Sequence, residues 1–289
     1  LPLAIHGVIA KNDGTIVDVC IGEDENDPVF CVTDLLIHLA GENMEKKANK
    51  VIEGEALDIL VGSRPLKGAE KEAVSKQILS ILKEKYEDLP IIVGITGPFT
   101  LTGHLLGIEN VVRYMKTDPD EIEIAMENCL DASMDYIEAI HEHNADVICV
   151  NEPTASPELI DPLQFKSMIK PNLEDLADFI DVQKVLHICG STQPIISDMS
   201  SVGFDGISIE EAVDIPKAKE SIENDCVIVG NISTSKTLLS GTPEDVKEDV
   251  KKVLSEDIDI IAPSCGLAPK TPLANVKALV EARNEYFNI

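Results

Sequence analysis

The sequence predicts an α/β protein, most simply a (β/α)8 barrel of the TIM type. From about residue 58 onward, short apolar runs rich in β-branched residues alternate with longer helical patterns. Such runs are apolar on both faces, as in parallel strands buried between helices. An eighth candidate strand near residues 3–9 would complete the barrel, although a doubly wound open sheet shows the same alternation. The seven runs occupy residues 58–62, 90–96, 146–150, 184–188, 205–209, 226–230 and 257–262.

The helices between these strands carry proline start signals. A Ser, Thr or Asp residue directly before Pro is typical of an N-cap followed by the first helical position. Between residues 119 and 142, apolar residues recur on one helical face, which predicts one long amphipathic helix. The five cap pairs are Asp118-Pro119, Ser156-Pro157, Asp161-Pro162, Thr242-Pro243 and Thr271-Pro272.

The first 57 residues fit a barrel less well. Residues 3–10 and 14–21 flank the sequence Asn12-Asp13-Gly14, and these residue types favour the positive-φ turn of a β-hairpin. We therefore expect a divergent N-terminal segment of residues 1–57, with this hairpin packed on the barrel. Residues 58–289 are expected to form the catalytic barrel, whose first strand is incomplete or divergent.

Composition excludes several classes of partner. The chain has 52 acidic and 24 basic residues, a formal net charge of −28. This field repels phosphate backbones and anionic lipids, so we expect neither nucleic-acid nor membrane binding. No apolar run approaches the roughly 18 residues that span a bilayer, and the first residues do not resemble a signal peptide. Seven cysteines without a tight framework favour reduced thiols, so we expect a cytoplasmic location.

The residues with the most chemical potential follow predicted strands, where barrels carry their active sites. His187 and Cys189 are two apart on one strand and so share a face. Cys265 follows the last strand. Three such ligands suit Zn²⁺ and leave a fourth position open for a reacting group. A buried strand also uses His and Cys for simple packing, so the pattern alone leaves both interpretations standing.

Five motifs carry a resemblance to a known family. They are GITGPF (94–99), NEPTASP (151–157), LHICG (186–190), VGNIS (229–233) and APSCGLAPKTP (262–272). The two cysteine-bearing motifs, in this order and spacing, are the specific ones. On these motifs, the chain from about Gly68 to Ile289 resembles the uroporphyrinogen decarboxylase superfamily, and within it the methylcobamide:coenzyme M methyltransferases of methanogens.

The resemblance implies a uroporphyrinogen decarboxylase-like barrel with Zn²⁺ on His187, Cys189 and Cys265. It also implies methyl transfer in methanogenesis, from a methylated corrinoid on a partner protein to the thiol of coenzyme M. Zinc would hold that thiol as the nucleophilic thiolate. We expect Glu210 as a fourth ligand, with Glu211 and Glu152 as alternatives, although a solvated rim carboxylate fits the pattern equally well.

The substrate contacts and the substrate itself leave choices open. Lys270 and Asn231 are candidates for the sulfonate of coenzyme M, which needs a cation or hydrogen-bond donors, and Glu152 is a further candidate contact. The thiol could instead be homocysteine, and the methyl source methanol, a methylamine or a methyl sulfide. A non-catalytic subunit that binds a corrinoid protein is another alternative. The net charge predicts a basic or neutral face on the corrinoid partner.

Uroporphyrinogen decarboxylation is the runner-up activity within the superfamily. Its substrate carries many carboxylates, and the resemblance implies an arginine-rich N-terminal segment to bind them. The first 63 residues of this chain contain no Arg, and decarboxylation does not require the His/Cys/Cys set. Both observations favour the methyltransferase.

Overall fold

The computed structural model describes residues 5–10, 16–21, 31–32, 59–60, 90–141 and 145–288. The chain divides into two compact units, Leu1–Gln77 and Ile78–Ile289. The domain boundary expected after residue 57 lies outside the described residues and stays a prediction, as does the packing of the hairpin on the barrel. In the part of the chain that is described, no helix has the length and apolar character needed to cross a membrane.

The described residues of the first unit form two small antiparallel pairs. Strand β1 (Ile5–Ala10) pairs with β2 (Ile16–Ile21), with Ile5 opposite Ile21, so the predicted hairpin is confirmed. Its turn residues, 11–15, lie outside the described residues. Strand β3 (Cys31–Val32) pairs with β4 (Ile59–Leu60).

Two of the predicted barrel strands are therefore wrong. Residues 5–9 of the first run belong to the hairpin, and residues 59–60 of the run at 58–62 form β4 in an antiparallel pair. A short apolar run carries no information about the direction of its partner, because periodicity is the same in parallel and antiparallel strands. For residues 3–9 the nearby turn chemistry decides the pairing, since a local hairpin closes with little loss of chain entropy.

The second unit contains a parallel sheet of six strands in the order β5-β6-β7-β8-β9-β10. Each strand lies beside its predecessor in the chain, which is the order of a TIM-type barrel. A doubly wound sheet would reverse its order at a switch point, and the described strands show no such reversal. The strands are β5 (Ile92–Thr96), β6 (Val147–Asn151), β7 (Gln183–His187), β8 (Gly206–Ser208), β9 (Val227–Ile232) and β10 (Ile260–Pro263).

Helices connect these strands, as the alternation of patterns predicts. Two π-helical segments, Phe165–Ile169 and Thr234–Leu239, and two 3-10 turns, Pro153–Ala155 and Gln193–Ile195, join them. Among the described residues the α-helices are α1 (Pro98–Leu106), α2 (Ile108–Thr117), α3 (Pro119–His141), α4 (Pro162–Gln164), α5 (Lys170–Phe179), α6 (Ile196–Ser200), α7 (Ile215–Ser221), α8 (Pro243–Ser255) and α9 (Leu273–Phe287).

Three of the five predicted helix starts are confirmed. Helices α3, α4 and α8 begin at the expected prolines, and Thr242 forms a full capping box with Asp245. The start at Ser156-Pro157 is wrong, because residues 157–159 form a turn. Helix α9 starts one residue later than expected, with Pro272 itself as the N-cap. A Ser-Pro or Thr-Pro pair initiates turns as well as helices, so it fixes the bend but not the element after it.

The apolar core lies between the sheet and these helices. Helix α3 buries all six residues of its predicted apolar face: Ile122, Met126, Cys129, Leu130, Ile137 and Ile140. On the strands the apolar side chains end at a row of polar ones. Thr96, Asn151, His187 and Ser208 are partners across four neighbouring strands. Because the strands are parallel, their C-terminal ends bring these side chains to one edge.

Candidate metal centre

His187 and Cys189 lie at the C-terminal end of β7, and both are buried. The imidazole Nδ1 is 3.0 Å from Ser208 Oγ on β8, and Nε2 is 3.4 Å from Cys189 Sγ. A hydrogen bond at one ring nitrogen fixes the orientation of the ring and leaves the other nitrogen as the ligand atom. The local structure therefore presents Nε2 of His187 to the thiol of Cys189.

Two more groups complete a cluster. Cys265 follows β10, and its Sγ lies 3.6 Å from Cys189 Sγ. Glu210 follows β8 and is half-buried. One ligand atom from each of His187, Cys189, Glu210 and Cys265 lies within 4.8 Å of all the others. Among the described residues, these four are the His, Cys, Asp and Glu side chains that lie close enough together to hold a metal ion.

The donor set fits Zn²⁺. Zinc ligands in a tetrahedral site lie about 3.5 to 3.8 Å apart, given bonds of roughly 2.3 Å to sulfur and 2.0 Å to nitrogen. The separations of Cys189 Sγ from His187 Nε2 and from Cys265 Sγ are 3.4 and 3.6 Å. Two sulfurs, one imidazole and one carboxylate are ligands that zinc accepts.

The electrostatics of the cluster point in the same direction. The pKa of Cys189 is raised, first by its hydrogen bond with Cys265, then by burial and by the negative charges of Cys265 and Glu210. Close acidic groups oppose one another's ionisation, and a bound divalent cation reverses that effect. Cys149, a neighbour on β6, has its pKa raised to about 11 by burial and then by the charge of Cys265.

A glycine allows the chain to turn directly after Cys189. Gly190 has φ +80°, and a Cβ there would lie 2.8 Å from Ser156 Oγ and 2.9 Å from Glu158 Oε1. Any other residue would be strained at this φ and would crowd both side chains. The next residue, Ser191, donates its N–H to Glu158 Oε1 over 3.3 Å. The loop that carries Cys189 is thereby tied to the loop after β6.

Glu152 and Glu211, the alternative carboxylates, do not join the cluster. Glu211 is exposed, and its Oε1 accepts a hydrogen bond from Ser233 Oγ at 2.7 Å. Glu152 is fully buried, and both of its oxygens accept hydrogen bonds from the first turn of α1. Burial raises the pKa of Glu152 to about 7, against the lowering effect of hydrogen bonds from Thr100 and Phe99.

The two predicted sulfonate contacts also lie outside the cluster. Asn231 is buried, and its Nδ2 lies 3.4 Å from the carbonyl oxygen of Glu210 and 3.3 Å from that of Val213. It lines a cavity of about 380 Å³ beside Glu211. Lys270 is exposed on the loop after Cys265. Their roles toward a sulfonate stay predictions.

Sequence reasoning missed Ser208 and Thr100. Ser208 orients His187, and Thr100 donates its hydroxyl to Glu152 over 2.7 Å. Neither residue type is distinctive, and both roles depend on the register between strands or loops far apart in sequence. The signal that could have found Ser208 is its position two residues before Glu210, on the strand predicted to follow that of His187.

The larger part of the chain matches both a family sequence model and individual known proteins. Residues 43–286 match the sequence model of uroporphyrinogen decarboxylase (URO-D). The chain is 39% identical over 213 residues to the methylcobamide:CoM methyltransferase MtaA of Methanosarcina barkeri, which is 73% of this chain and 63% of that protein. It is 37% identical over 214 residues to MtbA of Methanosarcina acetivorans, covering 62% of that protein. The chain thus spans less than two thirds of these relatives.

Solved structures agree with the fold. A methyltransferase from Methanosarcina mazei is similar with a TM-score of 0.72 and 40% identity, over 74% of this chain and 64% of that one. A B12-independent methionine synthase from Shewanella is similar with a TM-score of 0.56 at 15% identity, which supports the fold alone.

Another match concerns a smaller share of the chain. A probable M18 family aminopeptidase 1 of Clostridium acetobutylicum is 68% identical over 88 residues, which are 30% of this chain and 19% of that protein. The MtaA match, by comparison, covers 73% of the chain.

Proposed function

The chain belongs to the uroporphyrinogen decarboxylase family, and from that premise we propose that it is a zinc-dependent, corrinoid-dependent thiol methyltransferase. The methyl donor would be a methylated corrinoid on a partner protein, and the acceptor the thiol of coenzyme M, as in methanogenesis. The observation that carries the proposal is the group of two thiols, one imidazole and one carboxylate within 4.8 Å. The names of the relatives, methylcobamide:CoM methyltransferases, support the choice of reaction.

In this proposal His187, Cys189 and Cys265 hold the metal, with Glu210 as the fourth ligand. When bound, Zn²⁺ would lower the pKa of a substrate thiol and keep it as a thiolate. The two cysteine thiolates balance the charge of a divalent cation, so an added substrate thiolate keeps its nucleophilic charge. Glu210 and Cys265 are the two half-buried members of the set, and of these two we propose the carboxylate as the ligand that a substrate thiol replaces. Reduced cysteines, which the site needs, fit a cytoplasmic location.

The proposed reaction is a displacement at the methyl carbon. The thiol first loses its proton to solvent, and the thiolate sulfur then forms a bond to the methyl carbon. The carbon–cobalt bond breaks, and both of its electrons stay on cobalt, so that a methylated cobalt(III) corrinoid becomes a cobalt(I) corrinoid. The chain's own contribution is to hold the thiol and to orient His187 through Ser208. Lys270 and Asn231 remain our candidates for the sulfonate.

The test uses the purified full chain with methylcobalamin and either coenzyme M or homocysteine. We expect about one zinc ion per chain and methylated coenzyme M, formed together with cob(I)alamin. His187→Ala and Cys265→Ala should lose both metal and activity, a loss of at least about 10³-fold for a dismantled site. Cys226→Ala is the matched control, because Cys226 is a buried cysteine just before the N-terminal end of β9.

Each alternative predicts a different outcome of this assay. Methylation of homocysteine in place of coenzyme M would make the thiol wrong but keep the site. A metal-free chain that binds a corrinoid protein without turnover would indicate the non-catalytic subunit. Full activity in His187→Ala would refute the metal site, since His187 contributes the nitrogen ligand of the set.

A further inference from the structure

One buried carboxylate in the second unit has no part in the metal cluster. Glu152 follows β6, is fully buried, and accepts hydrogen bonds from Phe99 N at 2.8 Å, Thr100 N at 2.8 Å and Thr100 Oγ1 at 2.7 Å. All three donors lie in the first turn of α1. The unpaired N–H groups and the dipole at a helix start favour a negative group at this place.

The main chain of Glu152 is hydrogen-bonded to a residue of the metal cluster. Its N–H donates to the carbonyl oxygen of His187 over 2.8 Å, and its neighbour Asn151 is the sheet partner of His187. Gly97, which precedes α1, donates its N–H to the carbonyl oxygen of Asn151 over 2.9 Å. Glu152 therefore connects the first turn of α1 through its side chain and the end of β7 through its main chain.

The surroundings are built around this carboxylate. A Cβ on Gly97 would lie 2.2 Å from Glu152 Oε1, so the chain makes room for the side chain with a glycine. The Thr100 hydroxyl lies 2.8 Å from Thr154 Oγ1 and accepts from Thr154 N at 3.3 Å. This extends the network back to the loop that carries Glu152. Burying a carboxylate costs several kcal/mol even when it is hydrogen-bonded, so stability alone does not account for a charged residue here.

We propose that Glu152 is a positioning residue, which locks the first turn of α1 to the strand end that carries His187 and so fixes the rim where thiol and methyl donor meet. The inference rests on the proposed methyltransferase function for its kinetic part. The positional part stands on the contacts alone. Small displacements of a reacting geometry cost turnover, up to about 10²-fold for 1 Å.

The test compares Glu152→Gln and Thr100→Val with the matched control Thr100→Ser, which keeps the hydroxyl donor. Gln has the shape of Glu, but its amide nitrogen would face an N–H donor. We expect Glu152→Gln to retain about one zinc per chain and to lower kcat by about 10- to 100-fold, with little change in KM for coenzyme M. Thr100→Val should show a smaller loss of the same kind, and the double variant no more than Glu152→Gln alone. Thr100→Ser should match the wild type.

Two readouts do not depend on turnover. In the cobalt(II)-substituted full chain, Glu152→Gln should shift the ligand-field absorption bands, because the orientation of His187 changes. Hydrogen exchange at the amides of Phe99 and Thr100 should become faster in Glu152→Gln and stay unchanged in Thr100→Ser.

The outcomes separate the two proposals. A wild-type chain without methyl transfer would refute the proposed function, while the amide exchange would still decide the role of Glu152. Wild-type kcat, cobalt bands and amide exchange in a folded Glu152→Gln would overturn the positioning role. If Glu152→Gln does not fold, Thr100→Val decides, and unchanged kcat and Phe99 exchange in that variant would overturn it.

Discussion

Glu210 and Glu152 each follow a parallel strand at the same edge of the sheet, and the sequence offers both as metal ligands. Glu210 joins two thiols and an imidazole within 4.8 Å. Glu152 instead lies fully buried against the first turn of α1. Two glutamates at equivalent places in the fold therefore make different contacts, because their neighbours differ. The two thiols beside Glu210 can ionise together with it only if a cation is bound between them. Glu152 instead accepts hydrogen bonds from backbone N–H groups of α1.

The comparison explains why a strand-end carboxylate is a weak signal by itself. What distinguishes the two glutamates is the source of positive potential, and that source lies on other elements. For Glu152 it is the helix start at Pro98, and the glycine before it leaves the space. For Glu210 it would be the bound metal. Substitutions that remove one of these sources should affect the surroundings of Glu210 and of Glu152 differently.

The largest difference is expected in metal affinity. Glu210→Gln should weaken zinc binding by at least about 100-fold, because loss of a ligand costs no less than loss of an outer hydrogen bond to one. Glu152→Gln should leave the affinity near that of the wild type. Competition with a chromophoric chelator measures both. Equal affinities in the two variants would mean that Glu210 is not a ligand.

An intermediate effect is expected from Gly97→Ala. The added Cβ would lie 2.2 Å from Glu152 Oε1, so overpacking should lower the free energy of unfolding by about 1 to 3 kcal/mol. The corresponding fall in Tm is about 2 to 10 °C.

Gly103→Ala is the matched control for this substitution. Gly103 lies inside α1, the helix that Gly97 precedes, and its tightest contact would be with the end of the Ile108 side chain at 3.3 Å, with the other contacts at 3.8 Å or more. It should be neutral or slightly stabilising, because Ala favours a helix over Gly by up to about 1 kcal/mol. Equal Tm values for the two variants would show that Glu152 has room to move.

The most gradual effect is a pH dependence of stability, which is spread over the range from pH 4.5 to about 7. The pKa of Glu152 is raised by burial to about 7 from 4.5, so the folded chain binds a proton in this window that the unfolded chain has lost. Its contribution to the free energy of unfolding is therefore highest below pH 4.5 and falls as pH rises toward 7, by less than about 1.4 kcal/mol per pH unit. Urea unfolding of wild type and Glu152→Gln at several pH values isolates it. A difference between the two that does not vary with pH would contradict the raised pKa.

Much of the fold follows from local chemistry. The apolar runs predicted all six strands of the parallel sheet, and three of the caps that are followed by Pro start helices where expected. The spacing of His187 and Cys189 placed them on one face. The pairing of residues across strands, and the direction of a strand's partner, could not be predicted from such local patterns. The pairing of His187 with Ser208, and the direction of the strand at residues 59–60, depend on register and partner, which a single run does not encode.

The absence of Arg before position 64 spoke against a polycarboxylate substrate. These residues belong to the first unit, Leu1–Gln77, whereas the four residues of the metal cluster belong to the second. The arginine count therefore does not describe the site of the second unit. The case against decarboxylation rests instead on the cluster of two thiols, an imidazole and a carboxylate.

X-ray absorption at the zinc edge of the full chain tests the central claim most directly. We predict two sulfur ligands at about 2.3 Å and two nitrogen or oxygen ligands at about 2.0 to 2.2 Å. Addition of coenzyme M should replace one of the light ligands with a third sulfur, as expected if Glu210 yields its place to the substrate. A zinc shell without two sulfurs, or one that coenzyme M leaves unchanged, would contradict the account.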